Sequence, residues 1–149
     1  MNGSKASNEL QSLAPVQEPS QAPGPGLWTW RLVLFLRVMA GVSMLKGLYH
    51  WSWVIGVGVQ PHEVFEYHSI AWQSATVFFA VIDLVAGVGL WLAAAWGGVV
   101  WLTAAISMAA VELFFPQVYG GRVWVIVAEL VVIVAYFSLT IAAGREQPE

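Results

Sequence analysis

Cysteine is missing from the sequence altogether, and charged residues make up only 10% of it. The first absence excludes disulfides, thiolate metal centres, covalently attached c-type haem and a lipidated cysteine anchor. The second sets the chain apart from a soluble domain, in which roughly 25% of residues are charged. Six Lys and Arg stand against nine Asp and Glu, giving a net charge of −3, and the basic residues nowhere cluster. Nucleic acid is therefore not an expected partner. The sequence also offers no phosphate loop, dinucleotide fingerprint or Ser/His/Asp set, which argues against soluble-type catalysis and for a non-enzymatic protein.

What fills the space is apolar. Hydrophobic residues reach 58% of the 149 positions, and the mean hydropathy is +0.69, so lipid is the solvent the composition demands. Residues 1–26 are the exception, rich in Ser, Gln, Asn, Pro and Gly and ending in Ala22-Pro23-Gly24-Pro25-Gly26. Such a stretch buries too little apolar area to offset its ordering entropy, so it reads as a disordered tail. It lacks the apolar core of a signal peptide, and the first hydrophobic segment is expected to remain in the mature protein.

Four apolar runs follow, at about residues 31–56, 70–92, 96–115 and 123–143. Each matches the roughly 20 helical residues that cross a hydrocarbon core of about 30 Å. Trp28, Trp30, Trp51, Trp53, Trp72, Trp91, Trp96 and Trp124 lie near the ends of the runs, where an amphipathic ring prefers the headgroup layer. Only Trp101 falls well inside one. The connections are short, and Pro116, without a backbone N–H, ends the third helix. The predicted fold is all-α: an integral membrane four-helix bundle over residues 27–144, antiparallel and up-down, with residues 145–149 as a short C-terminal tail. Lys5, Arg31 and Arg145 flank one side and Arg122 the other, which predicts cytoplasmic N- and C-termini.

Five ionisable residues fall inside the spans: Arg37, Lys46, Asp83, Glu112 and Glu129. Each costs at least about 2.5–3.5 kcal/mol to insert unless it finds a partner, water or the interface. A rise of about 1.5 Å per residue places Arg37 and Asp83 about 10 Å above the cytoplasmic boundary, and Lys46, Glu112 and Glu129 at about 21–23 Å. Thr76, Ala80, Asp83 and Gly87 share one helical face, and Ala105, Ala109 and Glu112 another, so small residues beside each acid turn it toward the bundle. Arg37 and Lys46 point in nearly opposite directions. The expected buried site is therefore Lys46 with Glu112 and Glu129, and Arg37 with Asp83 is the weaker pairing. Two carboxylates beside one ammonium leave a surplus negative charge that one shared proton neutralises.

His62, Glu66 and His68 in the first outer loop superficially echo a zinc-binding helix, but Glu66 stands where the second histidine is needed, and a solvated loop cap is the simpler reading. His50 lies one turn beyond Lys46. The other spans hold no histidine, so two-histidine haem ligation is disfavoured and no cofactor is expected.

Leu36-Arg37-Val38-Met39-Ala40-Gly41, Gly47-Leu48-Tyr49-His50-Trp51, Trp72-Gln73, Gly89-Leu90-Trp91-Leu92, Ala95-Trp96-Gly97 and Phe115-Pro116 together resemble an uncharacterised family of small four-helix bacterial inner-membrane proteins. The resemblance covers about residues 30–143 and implies a multi-pass inner-membrane location, without an activity or functional residues. A looser likeness, in the first span and the topology only, is to DoxX-like membrane proteins, which are linked to redox complexes and detoxification. The leading expectation is an accessory or interaction subunit that associates with a membrane protein partner or forms a homo-oligomer within the bilayer. The alternative is a small proton-coupled transport or redox-associated component that uses the buried Lys/Glu/Glu site.

Overall fold

The structure, a computed structural model, describes residues 24, 26–58, 60 and 64–146. The predicted tail, apart from Gly24 and Gly26, and His62 lie outside the described residues. Among those described, helices α1 (Leu27–Val54), α2 (Ile70–Trp91), α3 (Ala95–Phe114), α4 (Pro116–Tyr119) and α5 (Val123–Gly144) and a 3₁₀ turn at Phe65–Tyr67 make up all the regular structure. Four of them, α1, α2, α3 and α5, are long and apolar enough to cross a membrane. In lipid a helix satisfies its own backbone, which is why apolar runs of this length take that form. Hydroxyls inside the runs follow the same rule, with Thr103 donating to the Val99 carbonyl, Ser138 to Val134 and Thr140 to Tyr136 at 2.8–2.9 Å.

The helix ends differ from the expected boundaries by a few residues. α1 begins at Leu27 rather than residue 31, so Trp28 and Trp30 belong to the helix. Gly26 supplies no side-chain cap. The Glu146 carboxylate takes that place, accepting from the Trp28 and Thr29 N–H groups at 2.9–3.0 Å. At α2 the cap is local, with Ser69 Oγ accepting from Trp72 N at 3.3 Å. Pro116 both follows the end of α3 and opens α4, where its missing N–H costs nothing.

α1 and α3 each pack on α2 and α5, closing a four-helix ring in which α1 and α3 are diagonal. Small residues set the closest approaches. A Cβ on Gly47 would lie 2.8 Å from Leu84, and one on Gly87 would lie 2.7 Å from Met44 and 3.1 Å from the Ala40 carbonyl. Between α2 and α3, Gly89 meets Gly97 so closely that a Cβ on either would strike the other's backbone. The connection there is a three-residue turn, Leu92-Ala93-Ala94, in which Ala93 takes a left-handed φ of 51°. Met39, Ala40, Ala86, Leu90 and Trp101 form the apolar core. Trp101 stands edge-on to Phe35 and Tyr136 with centroids 6.2 and 5.6 Å away, which accounts for a tryptophan in mid-span.

Candidate functional site

Halfway through the bundle, Lys46 of α1 reaches two acids from its two neighbouring helices. Its Nζ donates to Glu129 Oε1 of α5 at 2.9 Å and lies 3.9 Å from Asp83 Oδ1 of α2. Asp83 is 1% exposed, and neither of its carboxyl oxygens has a hydrogen-bond partner among the described residues. Thr76, Ala80, Asp83 and Gly87 are all buried, as their shared face predicts. One ammonium thus serves two carboxylates. A narrow cavity of about 130 Å³ opens beside Lys46 and Glu129, between α1 and α5.

The membership of this cluster corrects the sequence-based expectation. Lys46 and Glu129 do meet, but Glu112 does not join them. Its helix α3 is diagonal to α1, and estimated depth carries no information about which helices are neighbours. Glu112, 3% exposed, instead accepts from the Arg122 backbone N–H at 2.8 Å and lies 3.9 Å from Arg122 Nε. Asp83 pairs with Lys46 rather than Arg37, because a lysine stem spans roughly a helical turn and erases the assumed gap between layers. Arg37 is exposed on the outer face of α1 beside Trp30, Val33 and Leu34. Asp83 is not its partner.

Toward the end of the bundle where α1 finishes and α5 starts lies a larger cavity of about 310 Å³. Five rings form a closed circuit around it: Tyr49–Trp53 (6.4 Å between centroids), Trp53–Trp72 (5.8 Å), Trp72–Tyr119 (6.4 Å), Tyr119–His50 (6.0 Å) and His50–Tyr49 (5.8 Å). His68 stacks on Trp72 at 4.0 Å and also lines the cavity. The Tyr119 hydroxyl is 3.2 Å from Thr76 Oγ1, and burial pushes its pKa up, so it stays protonated. Glu112 and Arg122 complete the lining.

Sequence reasoning located the histidines but not this circuit. Trp53 and Trp72 read as interface anchors, and Tyr49, one turn before Trp53, only as part of a family motif. Their convergence with Tyr119 depends on α4, a four-residue helix whose only signals are Pro116 and the glycines after it. Of the metal candidates in the first outer loop, His62 lies outside the described residues. Among the described residues no three His, Asp or Glu side chains converge on a metal position, Glu66 is exposed, and His68 is committed to Trp72.

No curated protein and no solved structure matches the chain. The looser likeness to DoxX-like proteins is not shown by any comparison. Residues 30–147, which contain nearly all of the four long helices and both constellations, match the family of unknown function DUF6163, and the chain belongs to that family.

Proposed function

We propose that the chain is a non-enzymatic, four-span protein of a bacterial inner membrane and that its Lys46–Asp83–Glu129 cluster is a protonatable site serving a small proton-coupled transport component. The observation that carries this reading is Asp83, a carboxyl group buried in the bundle without a hydrogen bond beside a lysine already engaged by Glu129. A cluster built only to fix helix register needs one acid for one base, and here the second acid is surplus. With Lys46 an ammonium, one proton shared between the two carboxylates balances the charge, and its gain and loss changes the electrostatics at the α1–α5 cavity. The helices run antiparallel, up and down, with both ends in the cytoplasm. Support comes from the Glu146–Trp28 contact, which brings the first and last turns together, and from Arg31 and Arg145 beside it.

Infrared difference spectroscopy of the purified protein through a pH titration tests this directly. A protonated-carboxyl C=O band that titrates in the wild type and disappears in Asp83→Asn is the expected result. A band that persists in Asp83→Asn, or none from mildly acid to mildly alkaline pH, sinks the proposal.

A second reading, an accessory subunit held against another membrane protein, is favoured by Arg37. Its guanidinium is exposed within a span and has no ion-pair partner among the described residues. Cysteine cross-linking from Val38 in native membranes to a discrete second band supports that association, and the absence of any cross-link leaves Arg37 to reach the headgroups.

A further inference from the structure

We infer that the aromatic circuit at the α4 end of the bundle is a binding site for an organic ammonium ion, with Glu112 as its counter-charge. The site uses residues distinct from the Lys46 cluster, and the inference does not rest on the proton-coupled reading.

The shape of the box selects the guest. Successive rings around the circuit are turned against each other by 84° (Tyr49–Trp53), 84° (Trp53–Trp72), 67° (Trp72–Tyr119), 49° (Tyr119–His50) and 67° (His50–Tyr49). Steep neighbouring walls enclose a globular group. Rings with centroids 5.8–6.4 Å apart stand close enough for one cation to lie within the about 6 Å reach of a cation–π contact with more than one of them. The cavity of about 310 Å³ lies at the lower end of the roughly 300–1,000 Å³ range of small-ligand sites, which suits a compact ion.

Charge selects the sign. Glu112 is the carboxylate lining the cavity, and it is nearly fully buried, so a bound anion would have to face it. The cation now nearest is Arg122, whose side chain is 54% exposed and whose Nε is 3.9 Å from Glu112 Oε1. That spacing is too long for a hydrogen bond, so the guanidinium screens the acid without capping it. The exposed Arg122 side chain, whose Nε donates to the Tyr119 carbonyl at 3.2 Å, can swing into solvent when a guest arrives at the loss of that hydrogen bond. Polarity at the wall is available as well. His50, only 7% exposed, lines the cavity and has no hydrogen-bond partner among the described residues, which leaves its ring free for a hydroxyl or N–H of the guest. The ammonium can belong to a free solute or to a lipid headgroup, since the box opens at a helix end.

Titration calorimetry of the full chain, purified in an uncharged maltoside detergent, tests the assignment with choline and its uncharged isostere 3,3-dimethyl-1-butanol. Choline should bind saturably and the isostere at least about tenfold more weakly. Glu112→Gln should weaken choline binding about tenfold, whereas Arg122→Gln, a change at an exposed side chain that leaves the Arg122 backbone N–H in place, should tighten it. Trp53→Leu should abolish binding that Trp53→Phe retains. If Glu112→Gln does not fold, the Arg122→Gln and isostere results still decide the matter. Competition by dodecylphosphocholine more strongly than by choline assigns the ion to a lipid headgroup, and weaker competition assigns it to a solute. Equal binding of the isostere, weakened binding in Arg122→Gln, or displacement by a soluble benzoquinone but not by choline overturns the inference. Asp83→Asn should leave choline affinity unchanged. A loss there would move the site to the Lys46 cluster and likewise overturn it.

Discussion

The two ends of this bundle are built on opposite rules. At one end backbone touches backbone: Gly89 lies against Gly97 across a three-residue turn, and Glu146 ties the last helix to the first. At the other end bulky rings hold the helices apart around a cavity, and His50, Glu112 and Tyr119 put polar atoms on its wall. The Lys46 cluster lies between the two. Glycine closes one end, aromatic side chains line a cavity at the other, and polar atoms collect on the wall of that cavity.

The largest expected effect comes from forcing the closed end apart. Gly97→Val places a Cβ into the Gly89 backbone, where no flexible side chain can yield, and should cost about 3 kcal/mol or more in thermal unfolding measured in detergent. Gly41→Ala provides the contrast, because nothing lies within 4 Å of its added carbon, and it should gain about 0.5–1 kcal/mol. Equal behaviour of the two variants would mean that the close approach contributes nothing.

A smaller effect is expected at the boundary between the two ends. Lys46→Met leaves Glu129 without its 2.9 Å donor. With the Lys46 side chain 30% exposed, the cost should fall to about 1–3 kcal/mol, below the about 3–5 kcal/mol of a fully buried pair. Adding Glu129→Gln should recover part of that loss. Stabilities that add to within about 0.5 kcal/mol would show that the two side chains do not act together.

The smallest effect is at the clamp, and it depends on pH. The Trp28 N–H, more than any other contact, holds the Glu146 carboxyl below its ordinary pKa. Its contribution is therefore complete above the unfolded-state value and is lost as pH falls through the lower folded-state value. Thermal midpoints of wild type and Glu146→Gln should differ slightly at neutral pH and converge in acid. Gly26→Ala, whose methyl would strike the Glu146 carboxylate, should reproduce the neutral-pH difference. A gap that widens in acid would refute the capping role.

Much of the fold was legible because lipid imposes simple rules. Runs of about 20 apolar residues between tryptophans identify the four spans to within a few residues, and small residues beside Asp83 and Glu112 identify the faces that become buried. The pairing of charges was only half legible. Depth along an axis follows from counting residues, but azimuth around a bundle does not, so Glu112 was grouped with a lysine that lies diagonally across from it. The aromatic circuit was illegible for a related reason. It takes rings from α1, α2 and the four-residue α4, and no period within one segment records that meeting. Glu146 was invisible as a cap, since capping patterns are read locally and its targets are more than a hundred residues away.

That separation also has a consequence in time. Trp28 and Glu146 are 118 residues apart, and at about 5–20 residues per second a ribosome needs about 6–24 s to travel from one to the other. During that interval the two N–H groups at the exposed tip of the first helix have water, not Glu146, as their partner. The contact is therefore one of the last in the bundle that can form, because its acceptor follows the fourth long helix in the chain.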